Sequence, residues 1–238
     1  MILIGELSLW VALLMAAWTT TVSFAGGSLG RPDLVASGQR AMYATFAFVA
    51  LASAGLLTAL VTHDFSIKYV ASFSSANLPL VYTFTAFWAG QSGSLLFWSL
   101  ILAMYSALAV FGARNRSREL APFVAGTLGA TLVFFLATLC FGANPFERLD
   151  WVPVDGRGMN PQLQNPGMAI HPPMLYLGYV ATTVPFAYAV AALLSRKLDA
   201  EWLAAVRRWA LISWFFLTIG KSVPQSTEKA MPQNTRLL

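Results

Sequence analysis

The sequence predicts an all-α polytopic membrane protein with five complete transmembrane helices, a truncated sixth helix and aromatic-rich loops on the outer face. Of its 238 residues, 57% are hydrophobic and only 11% are charged, whereas a soluble domain carries roughly 25% charged residues. The apolar residues form five long runs without a charged side chain. The connections between these runs alternate between many and few positive residues, which is typical of loops on opposite sides of a membrane.

Five runs are long enough to cross a bilayer, because a helix of about 20 apolar residues spans a ~30 Å hydrocarbon core. A sixth apolar run would reach only about 18 Å at about 1.5 Å per residue, so we expect it to be too short to span. We assign residues 1–220 to the membrane domain. The five runs are residues 7–25, 41–62, 94–112, 120–141 and 174–194, and the sixth is residues 209–220.

The charge of the connections predicts the orientation of the chain. Connections after the first, third and fifth runs carry nine arginines and lysines, whereas those after the second and fourth carry three. Positive loops stay in the cytoplasm, so the N-terminus and the connections 63–93 and 142–170 are expected on the periplasmic side of a bacterial inner membrane. The nine are Arg31, Arg40, Arg114, Arg116, Arg118, Arg196, Lys197, Arg207 and Arg208, and the three are Lys68, Arg148 and Arg157.

The two outer connections differ in composition. Residues 63–93 are rich in aromatic side chains, and this pattern fits either an interfacial aromatic belt or a platform for a flat ligand. Residues 142–170 are rich in proline and glycine, so we expect turns to order them. The charged side chains of this second connection suit a solvated surface. Alternatively, Arg148 or Arg157 pairs with the carboxylates of an anionic ligand.

Several classes of function are excluded by what the sequence lacks. It contains no nucleophile elbow, phosphate-binding loop, paired carboxylates or zinc-ligand spacing, which most hydrolases and nucleotide-driven enzymes need. The single Cys140 allows no internal disulfide and no haem-attachment motif, and we expect it to be a buried apolar residue. The net charge of +5 lies in short loops between apolar runs, so it indicates topology and not a nucleic-acid partner.

His171 is the strongest candidate for a metal ligand. It directly precedes Pro172 and Pro173, which suit the first turn of a helix and would hold the imidazole just outside it. A neutral imidazole offers a nitrogen lone pair to a metal. The alternative is a structural histidine that bonds to loop carbonyls. His63 follows the second run and is better explained as a helix-end residue, whose side chain would meet the last carbonyls.

Four blocks of sequence resemble the N-terminal third of CcmF-type cytochrome c maturation proteins, the haem lyases of a haem-handling membrane family. The block around His171 is the most specific, because a His-Pro-Pro rarely follows an Asn-Pro…Pro-Gly loop by chance. The four blocks are HDFSIKYVASFSSANLPLVYTFTAFWAGQSGSLLFW at 63–98, NPFERL at 144–149, MNPQLQNPGMAIHPPMLYLGYVATTVPFAYA at 159–189 and WALISWFFLTIG at 209–220.

The resemblance implies that haem, delivered by a haem-chaperone protein, is received at the outer face and joined to the CxxCH cysteines of apocytochrome c. The haem would be b-type in transit to a c-type cytochrome, and further maturation subunits would act beside this chain. An external histidine at the position of His171 would be an axial ligand of the haem iron. The family's second external histidine, tryptophan-rich segment and transmembrane histidines have no counterpart here, so we expect this chain to be incomplete as an enzyme.

A haem bound at His171 would also need apolar walls and partners for its propionates. The aromatic candidates are Trp88 and the tyrosines that follow the prolines, because flat rings pack against a macrocycle. Arginines on the same face are the propionate candidates. The residues concerned are Trp88, Trp98, Tyr176, Tyr179, Arg148 and Arg157.

An alternative from another class is a transporter, permease or structural membrane subunit in which His171 is only structural. Transporters usually place ionisable residues or broken helices near the bilayer midplane. The predicted runs contain no charged residues, which argues against this alternative.

The last 18 residues, 221–238, are polar and contain two prolines, unlike the rest of the chain. We predict that this tail reflects a truncation or a change of reading frame, because it replaces what should be the second half of a sixth span. Sequencing of the locus downstream of codon 220 tests this hypothesis. A clean stop codon without membrane-coding sequence in any downstream frame would contradict it.

Overall fold

A computed structural model describes residues 2–116, 118–196 and 201–222, and within these ranges the chain is helical without a β-strand. The tail prediction falls on residues 223–238, outside the described residues, while Lys221 and Ser222 continue the last helix. The helices are α1 Ile2–Leu29, α2 Pro32–Val61, α3 Lys68–Phe73, α4 Leu80–Thr85, α5 Gln91–Arg116, α6 Ala121–Phe141, α7 Pro166–Ala181, α8 Thr183–Ser195 and α9 Glu201–Ser222, with 3₁₀ turns at Ala86–Trp88 and Pro161–Leu163.

Six helical segments in the described residues are long and apolar enough to cross a membrane, which confirms the all-α polytopic prediction. The first four correspond to the predicted runs. The first three begin earlier than predicted, because the helices continue into the interface where water can satisfy their ends, and the fourth agrees with its run within one residue. The segments are Ile2–Leu29, Pro32–Val61, Gln91–Ala113, Ala121–Phe141, Pro166–Ser195 and Trp202–Ser222.

The sixth helix is longer than we expected. It begins at Glu201 and has 22 residues, so it reaches about 33 Å and not about 18 Å. We had assigned Arg207 and Arg208 to a loop, but both lie within the helix with exposed side chains. An arginine near a helix end can cover apolar surface with its stem while its guanidinium reaches the interface, so it need not end a helix.

The fifth span consists of two helices that meet at Thr182. Pro185 explains the interruption, because it has no N–H to donate to the carbonyl of Ala181, four residues earlier. The chain therefore continues across the membrane as α7 and then α8 with a local break between them.

Close helix packing in the first half of the chain depends on small residues. A Cβ added at Gly129 would lie 2.7 Å from the hydroxyl of Thr20, and one at Gly126 would lie 2.9 Å from the ring of Phe24. Helix α1 therefore lies directly against α6 and also packs along α2. Such contacts are typical of membrane helices, which associate through close packing because lipid provides little hydrophobic drive between them.

The connections 63–93 and 142–170 are held together by backbone hydrogen bonds. Ile67 and Arg148 form an isolated antiparallel bridge. Beside it, the N–H of Leu149 donates to the carbonyl of Ser66 at 2.9 Å. The turn-rich connection thus gains order from the aromatic-rich one, in addition to its own turns.

Phe146 anchors this pair of connections to the start of α1. Its side chain is 1% exposed, and its ring lies against Gly5, where an added Cβ would approach within 2.5 Å. Asn144 supports the turn, because its side-chain oxygen accepts from the N–H of Phe146 at 2.9 Å while its amide donates to Glu6 at 3.3 Å. The NPFERL block is therefore a structural wedge between the outer loops and α1.

We predict that Phe146→Ala lowers the free energy of unfolding by about 3–5 kcal/mol, because it removes a buried ring and leaves a cavity beside Gly5. The matched control is Phe111→Ala in α5, whose ring is 61% exposed and should cost little. Thermal unfolding of both variants in detergent measures the difference. Equal losses of stability in the two variants would contradict the wedge role of Phe146.

Candidate functional site

His171 lies inside the first two turns of α7. We expected it just outside a helix that begins at the prolines, and this expectation is wrong. The helix begins five residues earlier, where Asn165 caps it by accepting from the backbone N–H two residues on at 2.8 Å. Pro166 then occupies the first helical position, which suits its fixed φ. Pro172 and Pro173 consequently fall inside the helix.

The two internal prolines alter the backbone on the same turns as His171. Neither has an N–H, so the carbonyls of Met168 and Ala169 cannot receive the usual hydrogen bond from four residues on. The first turns of α7 therefore combine an imidazole with two backbone acceptors that the helix itself does not satisfy.

The imidazole of His171 contacts the end of α9. Its Nδ1 lies 2.8 Å from the carbonyl oxygen of Gly220. A carbonyl oxygen can only accept, so Nδ1 must carry the proton in this contact. With Nδ1 as donor, the lone pair of a neutral imidazole lies on Nε2, and the hydrogen bond fixes the ring orientation. Metal-ligating histidines are held in this way, and so are structural histidines that bond to a carbonyl.

Two glycines allow α7 and α9 to approach closely. A Cβ added at Gly178 would lie 2.6 Å from the side chain and 2.9 Å from the backbone nitrogen of Leu217. A Cβ added at Gly220 would lie 2.7 Å from the side chain of Leu175. The hydroxyl of Ser213 also donates to the carbonyl of Gly178 at 2.7 Å. The position of the Gly220 carbonyl is therefore set by direct contact between the two helices.

Aromatic side chains from three elements form a continuous cluster. Trp88 stacks on Phe97 with ring centroids 5.4 Å apart, and Phe97 meets Tyr176 at 5.9 Å. Trp98 contacts the other side of Tyr176 at 5.4 Å. The structure thus brings together three of the four predicted aromatic residues. Phe97 joins them and was missed, because a phenylalanine inside an apolar run has no distinguishing sequence signal.

Hydrogen bonds to Tyr69 fix the loop that carries Trp88. The buried Tyr69 hydroxyl donates to the carbonyl of Ala86 at 2.9 Å and accepts from the N–H of Gly90 at 3.0 Å. Gly93, in the first turn of α5, lies directly against the Tyr69 hydroxyl. The glycines of the segment 89–94 thus allow close packing at the start of this helix.

The remaining predicted site residues lie apart from this cluster. Tyr179 is 50% exposed and makes none of the ring contacts that join the cluster. Arg148 and Arg157 are exposed on the turn-rich connection, where the N–H of Arg157 donates to the carbonyl of Ala71 at 2.8 Å. Neither guanidinium is placed at His171 by a contact in the described part of the chain.

His63 is a helix-end residue, as its position predicted, but its backbone and not its side chain meets the last carbonyls. Its Nδ1 is buried and has no hydrogen-bond partner among the described residues, so the expected side-chain contact is wrong. Its φ is +52°, in the left-handed region, and its N–H donates to the carbonyl of Leu60 at 3.3 Å. The N–H of Asp64 donates to the carbonyl of Ala59 at 3.0 Å, which completes a Schellman motif. No group of three potential metal ligands occurs among the described residues, so His63 is not part of a conventional metal cluster.

Comparison with known proteins gives a consistent result over most of the chain. The sequence profile of the family described as "Cytochrome C assembly protein" matches residues 88–221. The chain is 44% identical to the cytochrome c-type biogenesis protein ccl1 of Rhodobacter capsulatus over 221 residues, and this match covers 91% of the chain and 33% of ccl1. It is 39% identical to the cytochrome c-type biogenesis protein CcmF of Escherichia coli, with 90% of the chain and 33% of CcmF covered.

A solved structure has a similar fold. The structure titled "Cytochrome c Heme Lyase CcmF" superposes with a TM-score of 0.79 at 30% sequence identity, and covers 92% of this chain and 35% of that protein. The chain spans about one third of the length of the curated relatives it matches.

We predict that Tyr69→Phe destabilises the protein by about 1–3 kcal/mol, because the buried N–H of Gly90 loses its acceptor. Burial raises the pKa of the Tyr69 phenol above its ordinary value of 10.0. The folded state therefore holds this proton more tightly than the unfolded state, and that contribution is complete below about pH 10 and lost as the pH rises further.

Unfolding measured between pH 8 and pH 11.5 tests this prediction. The wild type should lose stability more steeply above pH 10 than Tyr69→Phe does, so the two curves converge. Parallel curves over this range would show that Tyr69 is not the group responsible.

Proposed function

Because the chain belongs to the cytochrome c assembly protein family, we propose that it acts in cytochrome c biogenesis by receiving haem at the outer face of the membrane. In this proposal, the Nε2 atom of His171 is an axial ligand of the haem iron. The haem arrives as b-type haem and leaves as part of a c-type cytochrome, so it is cargo and substrate.

The hydrogen bond between His171 and Gly220 is the observation that carries the proposal. A histidine ligand needs a lone pair on one nitrogen and a partner for the other, and the Nδ1 contact of 2.8 Å supplies that partner. The proline pair on the same turns limits rearrangement of the helix around the imidazole. A structural histidine would make the same bond, so the haem content of His171→Ala decides between the two roles.

The aromatic cluster supports the same proposal. Trp88 and Tyr176 are only partly buried, so each presents part of its ring outside the core. Tyr176 lies five residues after His171 on α7, a rise of about 7.5 Å and about 140° round the helix axis. Flat apolar rings suit the edge or face of a porphyrin, so the cluster is the proposed wall for a macrocycle that extends to this side of α7. Trp98, and less directly Tyr179, complete the set of proposed wall residues.

Arg148 and Arg157 are the proposed partners of the haem propionates. Both side chains are exposed, and both belong to the connection that precedes α7. A guanidinium forms bidentate hydrogen bonds with a carboxylate, which suits the two propionates of one haem. The contact would form when the haem is present, since the arginines extend into solvent.

The proposed partners follow from the relatives. We propose that a haem-chaperone protein delivers the haem, and that the thiols of a CxxCH motif in apocytochrome c add to its vinyl groups. Other maturation subunits in the same membrane would complete the site. The location is a bacterial inner membrane, with the N-terminus and the connections 63–93 and 142–170 on the periplasmic side, as the loop charges indicate.

The proposed activity of this chain alone is limited to haem binding. The chain corresponds to about one third of its relatives, which carry the second external histidine in the remaining part according to the family resemblance. A single histidine forms one iron–nitrogen bond and leaves the opposite position of the iron without a protein ligand. Attachment of haem to apocytochrome c by the purified chain, without another component, would contradict this limit.

We predict that His171→Ala lowers the haem content of the purified chain at least tenfold, because the iron loses its ligand from this protein. A pyridine haemochrome spectrum of wild type and variant, loaded with iron protoporphyrin IX in detergent, measures this.

The matched control is His63→Gly, which should keep wild-type haem content. Glycine suits the left-handed conformation at this position, so the helix end remains intact. Equal haem in wild type and His171→Ala would exclude the ligand role and favour a structural role for this histidine.

A further inference from the structure

We infer that α9 is the positioning element of the haem ligand, acting through the Gly220 carbonyl. This inference rests on the proposed function of His171. It assigns Gly178 and Gly220 a role that depends on contact between α7 and α9, although neither glycine would touch the haem. Gly220 sets the tautomer of the imidazole, and Gly178 sets how closely α9 approaches it.

The chemistry of the contact defines what α9 contributes. A backbone carbonyl cannot donate, so it selects the ring form with the proton on Nδ1, whichever form is present in free histidine. Hydrogen bonding at Nδ1 also increases the basicity of Nε2. A more basic imidazole donates more strongly to iron and favours the ferric state, which lowers the reduction potential of the bound haem.

The acceptor belongs to the backbone of α9. A backbone carbonyl has two lone pairs, so the Gly220 oxygen can accept from the His171 ring in addition to any bond within the helix. Its position is therefore set by the path of α9 and not by a side-chain rotamer.

The packing of α7 on α9 explains why the distance is short. Gly178 lies seven residues after His171, so it is on the same face of α7 about two turns away. Its contact with the backbone of Leu217 prevents any side chain from fitting there without moving α9. Leu217 is three residues before Gly220, so such a movement would carry the carbonyl with it.

Ser213 adds a second link between the two helices. It donates to the carbonyl of Gly178 at 2.7 Å from one turn before Leu217. Together with the glycine contacts, this bond limits sliding of α9 along α7 and rotation of α9 about its own axis. The His171 contact is thus the outer end of an interface that runs along both helices.

The experiment compares Gly178→Ala with Gly112→Ala, both loaded with iron protoporphyrin IX. A Cβ at Gly178 meets the Leu217 backbone, whereas one at Gly112 in α5 meets nothing within 4 Å. We expect Gly178→Ala to weaken haem binding about tenfold, raise the midpoint potential and change the fraction of low-spin haem in the absorption spectrum. Gly112→Ala should match the wild type in all three measurements.

A second pair of variants separates positioning from loss of fold. Gly220→Ala crowds the Leu175 side chain, and Gly220→Ala combined with Leu175→Ala removes that side chain. We expect the single variant to shift the potential and the double variant to restore it. A general folding defect would not be reversed by a further truncation.

The outcomes distinguish this inference from the function on which it rests. If His171→Ala loses haem but Gly178→Ala and Gly220→Ala keep the wild-type potential and spectrum, the positioning role of α9 is wrong and the ligand role stands. If His171→Ala keeps its haem, the proposed function itself is wrong.

Discussion

Unsatisfied backbone hydrogen-bonding groups are costly in hydrocarbon, and the whole structure depends on this constraint. Within the described residues, the membrane-crossing segments are helices, and the irregular backbone is collected in the connections. The connections 63–93 and 142–170 then satisfy part of each other's backbone, through the bridge between Ile67 and Arg148 and the bonds around it. The two connections therefore stabilise each other, and Phe146 anchors them to α1.

His171 lies in the first turns of a membrane helix, where unpaired backbone groups are less costly. Its helix begins in the connection, at Asn165, and contains two adjacent prolines before it becomes fully apolar. A polar side chain and incomplete backbone pairing are tolerated there, because the first turns of a membrane helix lie near water. Helix α9 brings the complementary group, since its Gly220 carbonyl accepts from the His171 ring. The imidazole therefore links the first turns of α7 to α9.

The sequence was sufficient for the fold class and for most spans, because uninterrupted apolar length is a strong signal. It was insufficient for the length of α9, since Arg207 and Arg208 interrupt the apolar pattern without ending the helix. It also misplaced the start of α7, because a proline pair was a more obvious signal for a helix start than Asn165-Pro166. Both errors come from side chains whose effect depends on their depth in the membrane, which a sequence does not state.

In the candidate site, some residues can be recognised from the local sequence, whereas others are revealed only by contacts between distant parts of the chain. Trp88, Tyr176 and His171 could be selected by residue type, yet Gly220, 49 residues from His171, carries no signal of its contact. Phe97 likewise has no distinguishing sequence signal, although its ring connects Trp88 to Tyr176. Residues that bind can be recognised from chemistry, whereas residues that position them are defined by packing and require the structure.

Residues that bind the haem and residues that position them have separate roles in the proposed haem site. One iron–nitrogen bond fixes the distance of the iron from the chain but permits rotation of the macrocycle about that bond. The direction of that bond would set the plane of the haem, so walls are needed to fix its rotation within the plane, and the stacked pair of Trp88 and Phe97 is the proposed wall. The Trp88 loop is tied to Tyr69 and His171 is tied to α9, while Tyr176 joins the two because it shares α7 with the ligand and contacts Phe97. A disturbance of α9 should consequently change the electronic properties of the iron, while a disturbance of the Tyr69 loop should change the orientation of the ring.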